Sequence, residues 1–237
     1  MRLKTQRLTD NAVGIAAAAD ILQHAGLVAF PTETVYGLGA DARDDTAVAR
    51  IFDAKQRPRF NPLIVHVTGI ETAQNLVEWS DFADRLATAF WPGPLSLVLP
   101  IKAQAGLSHL VTAELPTLAL RVPAHPLGQA LLTAFDGPVA APSANPSGRI
   151  SPTTADHVMA GLDGRIEAVL DGGACDVGLE STIVGLTGTP RLLRPGGLPQ
   201  GAIEAALGTA LATRKNADPL TAPGQMASHY APNAPVR

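Results

Sequence analysis

The chain has 237 residues, 46% of them hydrophobic and 16% charged, with a formal net charge of −3 at pH 7. Such a composition supplies a buried core, and the weak negative charge argues against a general attraction to nucleic acid or anionic membranes. One cysteine, Cys175, excludes an intrachain disulfide, and no apolar run reaches the roughly 20 residues that span a bilayer, so we expect a cytoplasmic protein without a signal peptide.

Helices and short strands alternate in the first half of the chain. Alanine-rich helical spacing predicts a helix over residues 11–25, with Thr9 and Asp10 as candidate caps and Gly26 after its end. A second helix is predicted from Asp45 to Lys55 and a third over 80–91. Short β-rich or apolar runs predict strands at 27–31, 35–42 and 63–67.

The second half continues in the same way. Apolar runs bounded by proline or glycine predict strands at 95–100, 118–123, 138–141 and 168–173, and two more in the segments ESTIVGL and RLLRPG. Helices are predicted at 127–135, 153–162 and 200–207, and a linker from Gly208 onward. Helices and strands mostly alternate, although some strands follow one another without a helix between them. This pattern predicts an α/β fold with a mixed twisted sheet.

Polar side chains stand beside most of the predicted strands. The set comprises Thr32, Thr34, Lys55, Arg57, Asn61, His66, Thr117, Arg121, Ser143, Asn145, Ser151, Ser181 and Arg194. Ligands of open α/β sheets bind outside strand ends, so this pattern predicts one shared cavity. Several cations and few nearby acids suit a nucleoside triphosphate with a carboxylate-bearing second substrate. Without a nucleophile and base pair, the pattern favours a reaction that works by positioning and charge neutralisation.

Three of these features also have structural interpretations. The charge run at Lys55, Arg57 and Arg59 is of a kind that usually forms a solvated surface. A lone strand histidine such as His66 is more often structural than functional. Arg121, a single charge in an apolar strand, pairs either with a protein carboxylate or with an anionic ligand, and its context favours the ligand.

Eight motifs occur in order between about residues 10 and 205. They are FPTETVYGLGADA, KQRPRFNPLIVHV, WPGPLSLVLP, LALRVPAHP, APSANPSGRISPT, LDGG, ESTIV and LLRPG. In this order they resemble the motifs of the YrdC-type threonylcarbamoyl-AMP synthases. PGQMASHYAP is similar to the linker of the longer two-domain branch, although Met226, Ala227 and Ser228 stand where that linker usually carries basic residues.

The resemblance implies a fold, a domain division and an activity. The implied fold is a YrdC-like twisted mixed sheet with helices around it and a central cationic cavity. Residues 1–207 would form the catalytic domain, residues 208–237 a linker over the active site, and the C-terminal domain of the long branch would be absent. The implied activity makes threonylcarbamoyl-adenylate and pyrophosphate from L-threonine, bicarbonate and ATP. Mg²⁺ would be held mainly by the phosphates, and the product would pass to a tRNA threonylcarbamoyl transferase complex.

The resemblance also assigns residue roles. Lys55 and Arg57 would be the catalytic cations. The ATP site would comprise Lys55, Arg57, Asn61, Thr117, Ser143, Asn145, Ser151, Arg194 and, from the linker, Tyr230. The threonine site would comprise Thr34, His66, Arg121, Ala141 and Ser181.

Two other functions remain open from the sequence. A domain of this kind could bind double-stranded RNA, although the net charge and the lack of basic stripes weigh against it. It could also perform the carbamoyl-adenylate chemistry of the hydrogenase-maturation carbamoyltransferases, larger proteins that carry further domains.

Overall fold

A mixed β-sheet of eleven strands organises residues 3–213, the part of the chain that the computed structural model describes. Eight helices accompany these strands. The elements in chain order are β1 (Gln6–Leu8), α1 (Ala12–Gln23), β2 (Val28–Phe30), β3 (Gly37–Asp41), α2 (Asp45–Lys55), β4 (Ile64–His66), α3 (Ile70–Leu76), α4 (Asp81–Phe90), β5 (Leu95–Pro100), α5 (His109–Thr112), β6 (Thr117–Arg121), α6 (Pro126–Phe135), β7 (Val139–Ala140), α7 (Ala155–Leu162), β8 (Ala168–Leu170), β9 (Thr182–Gly185), β10 (Arg191–Arg194), α8 (Gln200–Leu207) and β11 (Ala212–Thr213).

The strand order is β1-β8-β2-β3-β7-β4-β6-β5-β9-β10-β11. Parallel pairs, such as β4 with β6 and β5 with β9, occur in the same sheet as antiparallel pairs such as β5 with β6. The mixed sheet expected from the sequence is therefore confirmed. Among the described residues, no helix is both long and apolar enough to cross a membrane.

The two faces of the central strands have different roles because side chains alternate along a strand. Val65 of β4 and Leu120 of β6 belong to the main core, which also contains Ile51 of α2. The neighbours of these two residues along each strand face the opposite side of the sheet. On that second face, Ile64 and Ala119 join Val98 and Ile183 in a small separate apolar cluster. His66 and Arg121 lie on this second face and are register partners of β4 and β6.

The helix predictions are largely confirmed, with one correction at the first helix. The bounds of α2 agree with the prediction, and α4, α6, α7 and α8 occupy the expected segments. The cap of α1 is Asn11, whose side chain accepts from the Gly14 backbone N–H at 3.0 Å, and neither Thr9 nor Asp10 takes this role. A Cβ on Gly14 would lie 2.0 Å from the Thr9 carbonyl oxygen, so the incoming chain packs directly on the first turn of the helix.

Several short elements were not predicted from the sequence. These are β1, α3, α5 and β11, and each is seven residues or fewer. β11 pairs in parallel with β10, so the segment predicted as a linker from Gly208 begins with a strand. The division into a domain at 1–207 and a linker at 208–237 otherwise stays a prediction, because the linker after Thr213 lies outside the described residues.

Candidate active site

One cavity opens at the ends of several strands and holds about 470 Å³ of space, including open solvent at its mouth. Arg57 reaches it from the segment after α2, Arg121 from β6, Ser143 from the segment after β7, and Arg194 from the end of β10. The sequence pattern predicted that these segments converge, and the structure brings them together. The other lining residues are Thr32, Val35, Gly37, Ile64, His66, Ala141, Pro142 and Glu180.

His66 is a buried, neutral member of the cavity wall. Burial and the nearby Arg121 guanidinium lower the pKa of His66 to about 3. The Phe30 ring stands edge-on to the imidazole, with 6.0 Å between ring centroids. Its Nδ1 atom has no hydrogen-bond partner within residues 3–213. Because an unpaired buried polar atom is costly, this nitrogen is well suited to a ligand.

Arg121 is paired with a protein carboxylate, which corrects the sequence interpretation that favoured an anionic ligand over such a partner. Arg121 Nη2 lies 2.7 Å from Glu33 Oε1, and both side chains are buried. This contact uses one edge of the guanidinium, which has five N–H groups in all. Arg121 Nε donates to the Gly93 carbonyl oxygen at 3.3 Å. The guanidinium is thus charge-compensated on one side while it lines the cavity.

Arg194 is held by the residues that precede β9. Its Nη2 donates to Ser181 Oγ at 3.0 Å and to the Ser181 carbonyl oxygen at 2.8 Å. Ser181 Oγ lies 2.8 Å from Ser96 Oγ of β5. Both serines are fully buried. A chain of polar contacts therefore fixes the Arg194 guanidinium and the Ser181 hydroxyl together.

Glu180 is a second carboxylate at the cavity. Its Oε1 accepts from Ser151 Oγ at 2.6 Å, and its Oε2 lies 3.6 Å from Arg194 Nη2. The sequence pattern predicted few acids near the cations. Glu180 is the one carboxylate of the lining, as that expectation allows, and Glu180 and Glu33 each lie against one of the cavity arginines.

Lys55 does not line the cavity, although the resemblance assigned it to the phosphates. It is 1% exposed, and its Nζ donates to the Asn145 carbonyl oxygen at 2.6 Å and to that of Ser143. Burial lowers the pKa of Lys55 well below its ordinary value, and the Arg57 charge adds to this effect. In this structure the ammonium supports the loop that carries Ser143 into the cavity.

Arg57 lines the cavity, and its neighbour Asn61 lies outside the lining. Arg57 donates through Nη2 to the Pro62 carbonyl oxygen at 2.8 Å and through Nε to that of Asn61 at 3.2 Å. The side chain of Asn61 is buried, and its Nδ2 has no acceptor among residues 3–213. These bonds fix the direction of the Arg57 guanidinium.

The structure separates the predicted site residues into two groups. Those that line the cavity are Arg57, His66, Arg121, Ala141, Ser143 and Arg194. Those outside the lining are Thr34, Lys55, Asn61, Thr117, Asn145, Ser151 and Ser181, whereas Tyr230 lies outside the described residues. Several of the second group support the first: Thr34 Oγ1, for example, lies 2.8 Å from Oγ1 of the cavity residue Thr32.

Comparison with known proteins identifies the family. The family model Sua5_yciO_yrdC, described as "Telomere recombination", matches residues 20–196. The chain belongs to the Sua5/YciO/YrdC family. A family member from Bacillus subtilis (strain 168), named threonylcarbamoyl-AMP synthase, is 47% identical over 98% of this chain and 68% of its own length. A Pyrococcus abyssi relative of the same name is 48% identical over 94% of this chain and 66% of its own length.

Solved structures of Sua5/YciO/YrdC proteins have the same fold. The crystal structure of Pyrococcus abyssi Sua5 complexed with L-threonine matches with a TM-score of 0.91 and 44% identity, covering 97% of this chain and 69% of that one. This chain therefore spans about two thirds of the length of the relatives described here. Full-length HypF matches at 21% identity with a TM-score of 0.69, which shows a shared fold alone.

Proposed function

We propose that this chain forms threonylcarbamoyl-AMP and pyrophosphate from L-threonine, bicarbonate and ATP. The proposal is supported most directly by one observation, that Arg57, Arg121, Ser143 and Arg194 from separate segments line a single cavity. Relatives at 47% and 48% identity carry the name threonylcarbamoyl-AMP synthase.

Threonine would bind at the end of the cavity formed by His66 and Arg121. An arginine with an unused N–H group is well suited to a carboxylate. The unpaired Nδ1 of neutral His66 could exchange a hydrogen bond with the amine or hydroxyl of the amino acid. Ala141 lines the same cavity and would limit the space for the side-chain methyl group.

ATP would place its phosphates toward Arg57 and Arg194. Both guanidinium groups line the cavity, and both are fixed by hydrogen bonds to backbone carbonyl oxygens. Cations held in this way stabilise phosphoryl charge without having to reorganise during the reaction. Ser143 would add a hydroxyl at the nucleotide, and Lys55 would act through the loop that it supports.

The reaction needs positioning more than proton transfer. The threonine amine and bicarbonate give an N-carboxylate, with loss of water. An oxygen of that carboxylate attacks the α-phosphorus of ATP, and the bond to the leaving pyrophosphate breaks. Since the attacking oxygen is already negative, no general base is required at this step. A histidine with a pKa of about 3 is the neutral imidazole, not the imidazolium, at neutral pH, so His66 would orient substrate and would not act as a general acid.

Magnesium belongs to this proposal as a companion of ATP. Among residues 3–213 there is no group of three or more His, Cys, Asp or Glu side chains that could hold a metal ion. The cavity lining offers one carboxylate, Glu180, which already faces Ser151 and Arg194. These residues do not fit a metal held by the protein, so bound Mg²⁺ would rely mainly on phosphate oxygens.

The proposal extends to the fate of the product and to location. Threonylcarbamoyl-AMP would supply a tRNA threonylcarbamoyl transferase complex, since a mixed anhydride of this kind is an activated group donor. We infer a cytoplasmic location, which would bring the product to such a partner. The presence of only one cysteine agrees with this location.

The deciding experiment measures pyrophosphate release from ATP by the purified chain. Full release is expected only when L-threonine and bicarbonate are both present, and each is then omitted in turn. L-Serine is the control for the methyl group, which is worth about 1–3 kcal/mol in a fitted apolar pocket. Release that depends on carbamoyl phosphate in place of threonine and bicarbonate would contradict the proposal.

A further inference from the structure

A buried acid, Glu33, lies against Arg121 without itself lining the cavity. Glu33 is 7% exposed and lies 2.7 Å from Arg121 through Oε1. Its other oxygen, Oε2, accepts a hydrogen bond from the Ala124 backbone N–H at 3.0 Å. Both carboxylate oxygens are therefore engaged, and the charge of Glu33 is fixed behind the guanidinium.

This arrangement separates two properties of Arg121. The ion pair as a whole has no net charge, whereas the N–H groups of Arg121 that do not face Glu33 or the Gly93 carbonyl oxygen can still donate hydrogen bonds. Attraction to an anion by net charge grows with the charge of that anion, and it is strong in a buried site of low dielectric constant. Hydrogen-bond donation depends instead on a planar acceptor in the right place.

The cavity must hold two kinds of anion if the proposed function is correct. ATP and pyrophosphate carry several negative charges, whereas threonine carries one carboxylate and an amine. Arg57 and Arg121 line the same cavity, so net charge alone would attract phosphates to both ends.

We propose that Glu33 is a specificity-determining residue that excludes phosphate anions from the threonine end of the cavity by neutralising Arg121. The inference rests on the proposed function, because it assigns the Arg121 end to the amino acid. Glu33 would act through Arg121, as a positioning residue that does not itself touch the substrate.

Glu33→Gln is the informative variant, because the amide keeps the shape and one acceptor oxygen but removes the charge. Titration calorimetry with inorganic pyrophosphate and L-threonine, without ATP, measures binding alone. The wild-type chain should bind one pyrophosphate whether or not threonine is present. The variant should bind a second one, which saturating threonine displaces, and its affinity for threonine should change less than about threefold.

Two further variants distinguish charge from shape. Glu33→Asp keeps the charge, so a second pyrophosphate should stay excluded even if threonine binds more weakly. Glu180→Gln removes the carboxylate beside Arg194 at the other end, and any gain in pyrophosphate affinity there should not compete with threonine. If Glu33→Gln does not yield folded protein, Glu33→Ala, which removes the same charge, takes its place in the titration against Glu33→Asp and wild type.

Two results would overturn the inference. One is a Glu33→Gln chain that binds a single pyrophosphate without competition from threonine. The other is a Glu33→Asp chain that admits the second pyrophosphate despite its charge. A wild-type chain that binds threonine but releases no pyrophosphate from ATP would remove the proposed function and leave this binding test interpretable.

Discussion

The buried ammonium of Lys55 donates a hydrogen bond to the backbone oxygen of Asn145 at 2.6 Å. It donates a second one to the backbone oxygen of Ser143, and the Ser147 N–H donates back to the Lys55 carbonyl oxygen at 2.8 Å. The last residue of α2 thereby anchors the loop that places Ser143 at the cavity. The Lys55 side chain is therefore a structural support for the loop at the cavity.

Lys55→Met should therefore destabilise the fold as well as the site. The substitution leaves two carbonyl oxygens without their donor, at a cost of about 1–3 kcal/mol for each buried group. Urea denaturation should show a loss of roughly 2–6 kcal/mol in the free energy of unfolding. Lys102→Met is the matched control, because Lys102 donates to a single carbonyl oxygen, that of Gln74, in a less buried place, and it should cost less. Unchanged stability with reduced turnover would instead favour a direct role of Lys55 at the phosphates.

The elements with clear periodicity could be predicted from the sequence, and the side-chain partners could not. Helix α2 combines helical spacing with a left-handed cap at Gln56, and its predicted bounds agree with the structure. The role of Lys55 depends on a loop 88 residues away in sequence. Sequence spacing indicates that Lys55 lies near the start of a strand. It does not show whether the Lys55 amine faces the cavity or the backbone of the loop that carries Ser143.

The partner of Glu33 likewise could not be predicted from the sequence. Within FPTETVYGLGADA it looked like part of a polar connection between strands. Its partner Arg121 is 88 residues further along, and only the register of β4 with β6 brings that arginine to the cavity beside His66. One sequence signal could have indicated this pair. Arg121 is an isolated charge in an apolar strand, and such a charge usually needs an acid nearby.

Ser96→Ala should weaken threonine binding without a large effect on the chemical step. Ser181, which the family resemblance assigns to the threonine site, lies outside the cavity lining and between Arg194 and Ser96, which hold its hydroxyl in one orientation. Without Ser96 the hydroxyl loses one of these partners. The KM for threonine should rise about 3- to 10-fold, equivalent to about 1 kcal/mol, while kcat changes little.

A second buried serine provides the control for Ser96. Ser108 caps α5, where its Oγ accepts from the Leu110 N–H at 3.3 Å, and it does not line the cavity. Ser108→Ala should lower stability and leave the KM for threonine unchanged. If both variants raise the KM for threonine equally, the increase caused by Ser96→Ala reflects a general loss of stability and not a role of Ser96 in orienting Ser181.

The low pKa of His66 predicts how stability depends on pH. The pKa is about 3 in the folded chain, against about 6.5 for an unperturbed histidine in the unfolded chain. Between these values the unfolded chain binds a proton that folded His66 does not. The contribution of His66 is therefore complete above pH 6.5, and it decreases as the pH falls toward 3, by up to about 1.4 kcal/mol per pH unit.

His66→Asn isolates this contribution from the other titrating groups. Burial also lowers the pKa of His125, but that group is common to both chains and cancels in the difference between them. The stability difference between wild type and variant, measured by urea denaturation, should shrink by about 1–2 kcal/mol from pH 7.5 to 5.5. A constant difference for His66→Asn would mean that the folded imidazole titrates near its ordinary pKa, and the neutral hydrogen-bonding role of His66 in the cavity would then be wrong.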